Sequence, residues 1–317
     1  MEKVLKVIGI IFLVIIVLIF ILFVINFIVS KIRILKDNYY VNFESNNVLE
    51  KKYAGLGRHN VSYLKLKSDD KKIKEFRIWY PIELESNNQY YPLIIVTNAS
   101  NTPASKYEPF FKRLASWGFI VVGNEDRQAG TGLTTSKTLD YLLELNENAN
   151  SVFYSKISKD NIGIIGYSQG GAGAINAVTG YDNSNLYKAL FTGSAAHPLL
   201  SKNMGWEYDY TKITIPYFMT AGTGSSDAGD NKENGWGGVT PLSSLIEIYD
   251  GMTDDVFKVR ARVSGAEHQD ILIKTDGYMT AWMLYQLKND DVAGKVFIGE
   301  EAEILDNANW IDIKKNN

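Results

Sequence analysis

The stretch NIGIIGYSQGGAG, Asn161 to Gly173, decides how the rest of the chain is read. A short apolar run leads into it, and Gly166, Gly170, Gly171 and Gly173 crowd around a single serine, Ser168. Glycine weakens the interiors of strands and helices alike, so a chain concentrates it where the backbone must turn sharply or approach something closely. The apolar run reads as a strand and QGGAGAINAV as a helix. A Gly-x-Ser-x-Gly in that strand–turn–helix slot is the arrangement that lifts a serine hydroxyl above a sheet. Gly166 and Gly170 then give clearance across the turn, and Gly171 and Gly173 let the helix pack tightly. Gln169 opens the helix, where its backbone N–H is free to face a developing negative charge.

Working outward, the chain alternates strand and helix signals. VSYLKLKS and FRIWYP, separated by the charged turn DDKKIK, read as an antiparallel hairpin. YPLIIVTNA, FIVVGNE, NIGIIGYS, ALFTGSA, PYFMTAG and FKVRARVSG read as further strands. Between them KYEPFFKRLASWG, TLDYLLELNENAN, LSSLIEIYDGM and KTDGYMTAWMLYQLKN read as helices. Strands that are apolar on both faces and alternate with helices predict an α/β class: a mostly parallel sheet with helices on both faces and an antiparallel hairpin at its start. Such a sheet keeps its ligand site at the carboxyl ends of its strands.

Serine is a weak nucleophile near neutral pH and needs a general base. The chain has three histidines, His59, His197 and His268, and no cysteine. Disulfides, thiolate metal sites and a cysteine nucleophile are therefore excluded. His59 precedes the serine. His197 follows a strand end but precedes the candidate acids, which favours a pocket-lining or structural role. His268, in VSGAEHQD after the last predicted strand, has the order Ser…Asp…His and the right edge. The acid is expected in TGSSDAGDNKENGWGG, after PYFMTAG. Asp227, five residues past Gly222, is nearer the strand end than Asp230 and is preferred, with Asp230 as the alternative. Within that loop DNKENG resembles a calcium loop, but Lys232 occupies a ligand position. The second oxyanion donor is expected in TNASNTPAS, at the N–H of Ser100, with Asn101 next. Trp206 and Trp236 fall in loops after the sixth and seventh strands and are candidates for an aromatic wall of an acyl or aryl pocket.

With these residues placed, the chain resembles an α/β-hydrolase. More narrowly it is similar to the bacterial esterases grouped as chlorophyllase-like, dienelactone-hydrolase-like and cutinase-like (polyester-hydrolase-like). The resemblance runs from about Gly55 to the end. It is carried by RIWYP, LASWGFIVVGNEDRQAGTG, IGIIGYSQGGAGAINA and GAEHQDIL…GYMTAWMLYQLKND. It implies the α/β-hydrolase fold, Ser168 as nucleophile, His268 as base, Asp227 as acid, the N–H groups of Ser100 and Gln169 as oxyanion donors, and no metal or organic cofactor. The chain departs from such enzymes in having Tyr167 before the serine, where a histidine is common, and Asn98-Ala99 where a His-Gly or similar pair is usual.

These residues imply cleavage of a small-molecule or lipid-like carboxylic ester through an acyl-enzyme. An acyltransferase acting on envelope glycans or lipids would use the same residues. A non-catalytic binding protein of this fold would lack a triad member, and none is lacking here. A formal net charge of −3, with no basic stripe, gives no footprint for nucleic acid.

The N-terminus reads separately. Val7 to Val29 contains no charged residue, and as a helix it would span roughly 35 Å, enough to cross a bilayer core of ~30 Å. It is too long for a cleaved signal peptide. The expected organisation is a transmembrane anchor over 1–30, a stalk over 31–48 and a catalytic domain over 49–317. Lys3 and Lys6 on one side nearly balance Lys31, Arg33 and Lys36 on the other. A single N-terminal anchor usually leaves the body outside the cytoplasm, and that is the expectation here.

Overall fold

The computed structural model describes residues 11–12, 14–21, 33–229 and 237–317. Among these, the eight predicted strands and one further strand join one nine-stranded sheet in the order β1-β2-β4-β3-β5-β6-β7-β8-β9. The strands are β1 (Val61–Lys67), β2 (Glu75–Pro81), β3 (Tyr91–Thr97), β4 (Ile120–Asn124), β5 (Ile157–Tyr167), β6 (Tyr187–Gly193), β7 (Tyr217–Gly222), β8 (Lys258–Val263) and β9 (Trp310–Lys315). From β4 to β8 every pairing is parallel, while β1, β2 and β9 pair antiparallel. β3 and β4 are buried along their whole length, as continuous apolar runs require. β1 at the edge alternates half-buried and exposed positions and carries Lys65 and Lys67, charges that discourage further pairing.

Successive side chains of each inner strand enter opposite cores. Ile94 and Val96 point into one, Leu93 and Ile95 into the other. The first core lies under α1 (Val48–Ala54), α2 (Glu108–Ala115) and α6 (Asp276–Lys288). The second lies under α3 (Leu133–Glu147), α4 (Gln169–Thr179) and α5 (Leu242–Gly251). β3 is flanked by β4 on one side and β5 on the other, so the loops leaving β3 and β5 diverge. That reversal opens a crevice at the carboxyl edge, the place where sheets of this kind bind ligands.

One finding differs from the sequence expectation: β9 closes the far edge although no strand was expected there. Only one large apolar side chain of β9, Trp310, is fully buried, and its indole N–H donates to Glu50 of α1 at 2.6 Å. The pattern is too polar to announce a strand.

Described from Arg33 on, the expected stalk lies against the domain. Leu35 and Tyr39 are buried in the first core, and the Ile34 N–H donates to the Lys106 carbonyl at 2.8 Å. The expected anchor falls for the most part outside the described residues. Among the described residues no helix is long and apolar enough to cross a membrane.

Tyr39 reaches a fully buried ion pair. Arg113 of α2 donates to Asp276 of α6 at 2.6 Å, to the Tyr53 carbonyl at 2.9 Å and to Thr280 Oγ1 at 2.9 Å. The Tyr39 hydroxyl donates to the other Asp276 oxygen at 2.6 Å and accepts from Arg113 Nε at 3.0 Å. Burial pushes the Asp276 carboxyl up to about 6 against the pull of Arg113. With so many groups satisfied, removing one partner is far worse than never having had the pair. Asp276→Asn strands a buried guanidinium charge and is expected to lower the unfolding free energy by about 3–5 kcal/mol. Urea denaturation followed by circular dichroism measures this.

Candidate active site

β5 ends at Tyr167 and α4 begins at Gln169, so Ser168 occupies the turn alone. Its backbone sits at φ 56°, ψ −124°, a region serine rarely adopts. The surroundings leave it no alternative. A Cβ on Gly166 would lie 2.2 Å from the Gly170 carbonyl oxygen, and one on Gly170 would lie 2.2 Å from the Thr97 carbonyl oxygen. The end of β5, the start of α4 and the end of β3 therefore meet at backbone contact. The Ser168 N–H donates to the Gly193 carbonyl at 3.0 Å, and its own carbonyl accepts from Gly171 at 2.8 Å. Further along α4, Gly171 packs on Ala195 and Gly173 on the Ala129 carbonyl, which is the close seating expected of them.

His268 lies past β8, in a short helical turn, His268–Asp270. Its Nε2 is 2.9 Å from Ser168 Oγ, and its Nδ1 is 2.6 Å from Asp227 Oδ1. Asp227 is fully buried in the turn Ser225–Ala228 after β7. Its second oxygen accepts from the Gly222 N–H at 2.7 Å and from the hydroxyl of Ser194. A buried carboxylate without donors would be costly, and these donors offset that cost. The three residues Ser168, His268 and Asp227, far apart in sequence, are thus brought into one chain of hydrogen bonds. Asp230 and Trp236 lie outside the described residues.

Tyr167 stacks on the imidazole of His268, with ring centroids 5.3 Å apart and planes inclined by 25°. Its hydroxyl donates to the His268 carbonyl. Burial, then the nearby Asp227 and Asp270, push Tyr167 above the usual phenol range, so it keeps its proton and acts as a donor. The residue before the serine therefore fixes both the ring and the backbone of the histidine.

The loop after β3 is the place expected for a second oxyanion donor. It is anchored by Asn98, which is buried. Asn98 Nδ2 donates to the carbonyls of Asn124 and Asp126 at 2.8 Å each, and its Oδ1 accepts from the Tyr107 hydroxyl at 2.9 Å. This explains why an asparagine stands where a small glycine-containing pair is usual: it ties the loop to the end of β4. Ser100 is exposed at the tip. Asn101, the second candidate, has its N–H bonded to the Arg127 carbonyl at 3.0 Å and is not free for an oxyanion. Gln169 is buried at the first position of α4, and its side chain pairs with Gln128 at 2.8 Å.

Other candidates lie elsewhere. Trp206 packs over Gly130, where a Cβ would come within 2.4 Å of the indole, and its carbonyl accepts from Asn176 at 3.1 Å. It lies on the flank of α4, at Asn176, about two turns beyond the elbow. His197 caps the helix Pro198–Asn203, its Nδ1 accepting from the Leu200 N–H at 3.3 Å. His59 sits at the opposite edge of the sheet, 3.5 Å from Glu83. Burial lowers both histidines below the usual range. Sequence reasoning missed Ser194. A small residue just past β6, at the carboxyl edge and beside the strand that leads to Ser168, was the available signal.

A PET hydrolase-like family model matches residues 52–308. The chain belongs to the PET hydrolase-like family. The resemblance to polyester-hydrolase-like α/β-hydrolases drawn from the sequence holds over that span. A search of curated proteins found no match. PET hydrolase-like membership makes the chain a hydrolase acting on esters.

Two substitutions test the construction of the site. Gly170→Ala drives a methyl group into the Thr97 carbonyl and is expected to cost about 3 kcal/mol, seen as a lowered melting temperature. Ser194→Ala removes one donor to Asp227 and is expected to lower kcat about tenfold with little change in KM, by analogy with other supporting groups around a buried ligand or acid. Steady-state kinetics on a short p-nitrophenyl ester distinguishes the two effects.

Proposed function

We propose that the chain is a carboxylic ester hydrolase working through Ser168, His268 and Asp227 and a covalent acyl-enzyme. The observation that carries this reading is the 2.9 Å contact of Ser168 Oγ with His268 Nε2, continued by the 2.6 Å contact of Nδ1 with Asp227. His268 takes the serine proton as Oγ attacks the ester carbonyl, and returns it to the departing alcohol. Water, activated by the same imidazole, then releases the acid and restores Ser168. Asp227 holds the tautomer with the proton on Nδ1 and stabilises the imidazolium that forms in each step. The N–H of Gln169 and the N–H of Ser100 hold the oxyanion, each contributing on the order of 3 kcal/mol in the transition state. Among the described residues there is no long insertion of the kind that builds a helical lid, which favours small or extended accessible esters.

The reading extends to a membrane anchor over 1–30 with the catalytic domain outside the cytoplasm. Its support is the uncharged run Val7–Val29. Among the described residues that follow that run, Arg33 contacts Glu108 and Ile34 contacts Lys106, beside the carboxyl edge of the sheet. An anchored chain would hold that edge, and Ser168 with it, toward the bilayer.

Two experiments test these readings. Ser168→Ala is expected to abolish labelling by a fluorophosphonate and to lower kcat/KM for a short p-nitrophenyl ester by about 10³-fold or more. Serine-independent turnover would sink the mechanism. The full chain is expected to sediment with membranes and a chain starting at Arg33 to stay in the supernatant.

A further inference from the structure

The acid and the base of this site ride on two separate turns, Ser225–Ala228 after β7 and His268–Asp270 after β8. Their imidazole–carboxylate contact is only as good as the registration of those turns. Glu267, immediately before His268, spans the gap. Its carboxylate accepts from the Ser226 N–H at 2.9 Å and from the Ser226 hydroxyl. The same hydroxyl accepts from the His268 N–H at 2.8 Å. Ser226 in turn immediately precedes Asp227. The two residues that carry the clamp are thus each one peptide away from a member of the relay.

The clamp is built into both turns. On its own side the Glu267 backbone is fixed by a reciprocal pair with Asp270: the Glu267 N–H donates to the Asp270 carboxylate at 2.9 Å, and the Asp270 N–H donates back to the Glu267 carbonyl at 2.9 Å. On the other side Gly224 makes room. A Cβ there would lie 2.3 Å from the Glu267 carboxyl carbon, so the carboxylate fills the space a side chain would take. The Gly224 N–H donates to the Ala266 carbonyl at 2.8 Å, which brings the two backbones together at the same point. The Ser226 donors hold the Glu267 carboxyl below its usual range, so it meets them as an acceptor. A half-buried glutamate beside a catalytic histidine has a simpler alternative role, solvation at the rim. A solvated carboxylate would not be matched to two donors of one serine, nor have its space reserved by a glycine.

We propose that Glu267 is a positioning residue for the hydrolase, setting the distance between Asp227 and His268 through Ser226 without touching substrate. This inference rests on the serine esterase reading above. Displacing a reacting group by an ångström costs about 10²-fold. Glu267→Ala is therefore expected to lower kcat about ten- to hundred-fold while KM moves less than about twofold. Glu267→Gln still accepts from Ser226 and is expected to restore most of the rate. The proton shared by His268 Nδ1 and Asp227 gives a far-downfield resonance in one-dimensional proton NMR. It is expected to move upfield or broaden in Glu267→Ala and to persist in Glu267→Gln.

A folded Glu267→Ala with unchanged kcat and an unchanged resonance overturns the proposal. If Glu267→Ala does not fold, Ser226→Ala, which removes only the shared hydroxyl, carries the same expectations and the same power to refute. Ser168→Ala run in parallel separates the two readings. Turnover that survives it defeats the esterase mechanism, whereas serine-dependent turnover that is undiminished in Glu267→Ala defeats the clamp alone.

Discussion

At Gly170 a methyl group would lie 2.2 Å from the carbonyl oxygen of Thr97, and at Gly166 another would lie 2.2 Å from the carbonyl of Gly170. Three backbone segments, the end of β3, the end of β5 and the first turn of α4, share a space that admits no side chain. Ser168 pays for that closeness with a left-handed φ of 56°, a conformation that costs roughly 1–3 kcal/mol when isolated. It persists because its N–H and carbonyl are both engaged, by Gly193 and Gly171. The same crossing puts the serine hydroxyl over the crevice where β3 separates β4 from β5. Strain, crevice and the position of Ser168 are one geometric fact.

The remaining relay members are held by the fold in different ways. Asp227 is fully buried, so its orientation follows from donors that surround it: Gly222 on its own strand end, Ser194 on the neighbouring one and His268 on the next. His268 is partly exposed, as the proposed role of a base meeting substrate requires. Its position comes from contacts on its ring and its peptide, through Tyr167. Burial fixes Asp227 and leaves His268 accessible, which is the division of labour that the proposed general-base chemistry needs.

How much of this was readable in the sequence depends on whether the constraint was local. Ser168 was legible because the turn that strains it writes glycines at fixed offsets on both sides. The sheet was legible because inner strands such as Leu93–Val96 are apolar on both faces and have few other places to go. Asp227 and His268 followed from order and strand ends. Ser194 was hidden, since a buried hydroxyl at a strand end looks like any small core residue until its partner is in place. The seat of Trp206 was hidden for a related reason: Gly130 offers it a notch on the flank of α4 that only the folded chain creates. The described part of the expected stalk shows no periodicity because it docks through scattered side chains, among them Arg33, Leu35 and Tyr39. The partners of Tyr39, Arg113 and Asp276, are supplied by helices far along the chain.

A pattern links the loops of the site. The residue before each relay member contacts the loop of another: Tyr167, before Ser168, holds the ring and carbonyl of His268. Ser226, before Asp227, accepts from the His268 N–H, and Glu267, before His268, accepts from Ser226. Each position is one peptide bond from the group it serves, so a shift in one loop is transmitted to the others over the shortest covalent path. Loops that pack against one another in this way move together or not at all, because packed contacts and directed hydrogen bonds tolerate little independent displacement. That coupling accounts for how turns from three strand ends, joined by no regular secondary structure, hold two hydrogen bonds at 2.9 and 2.6 Å.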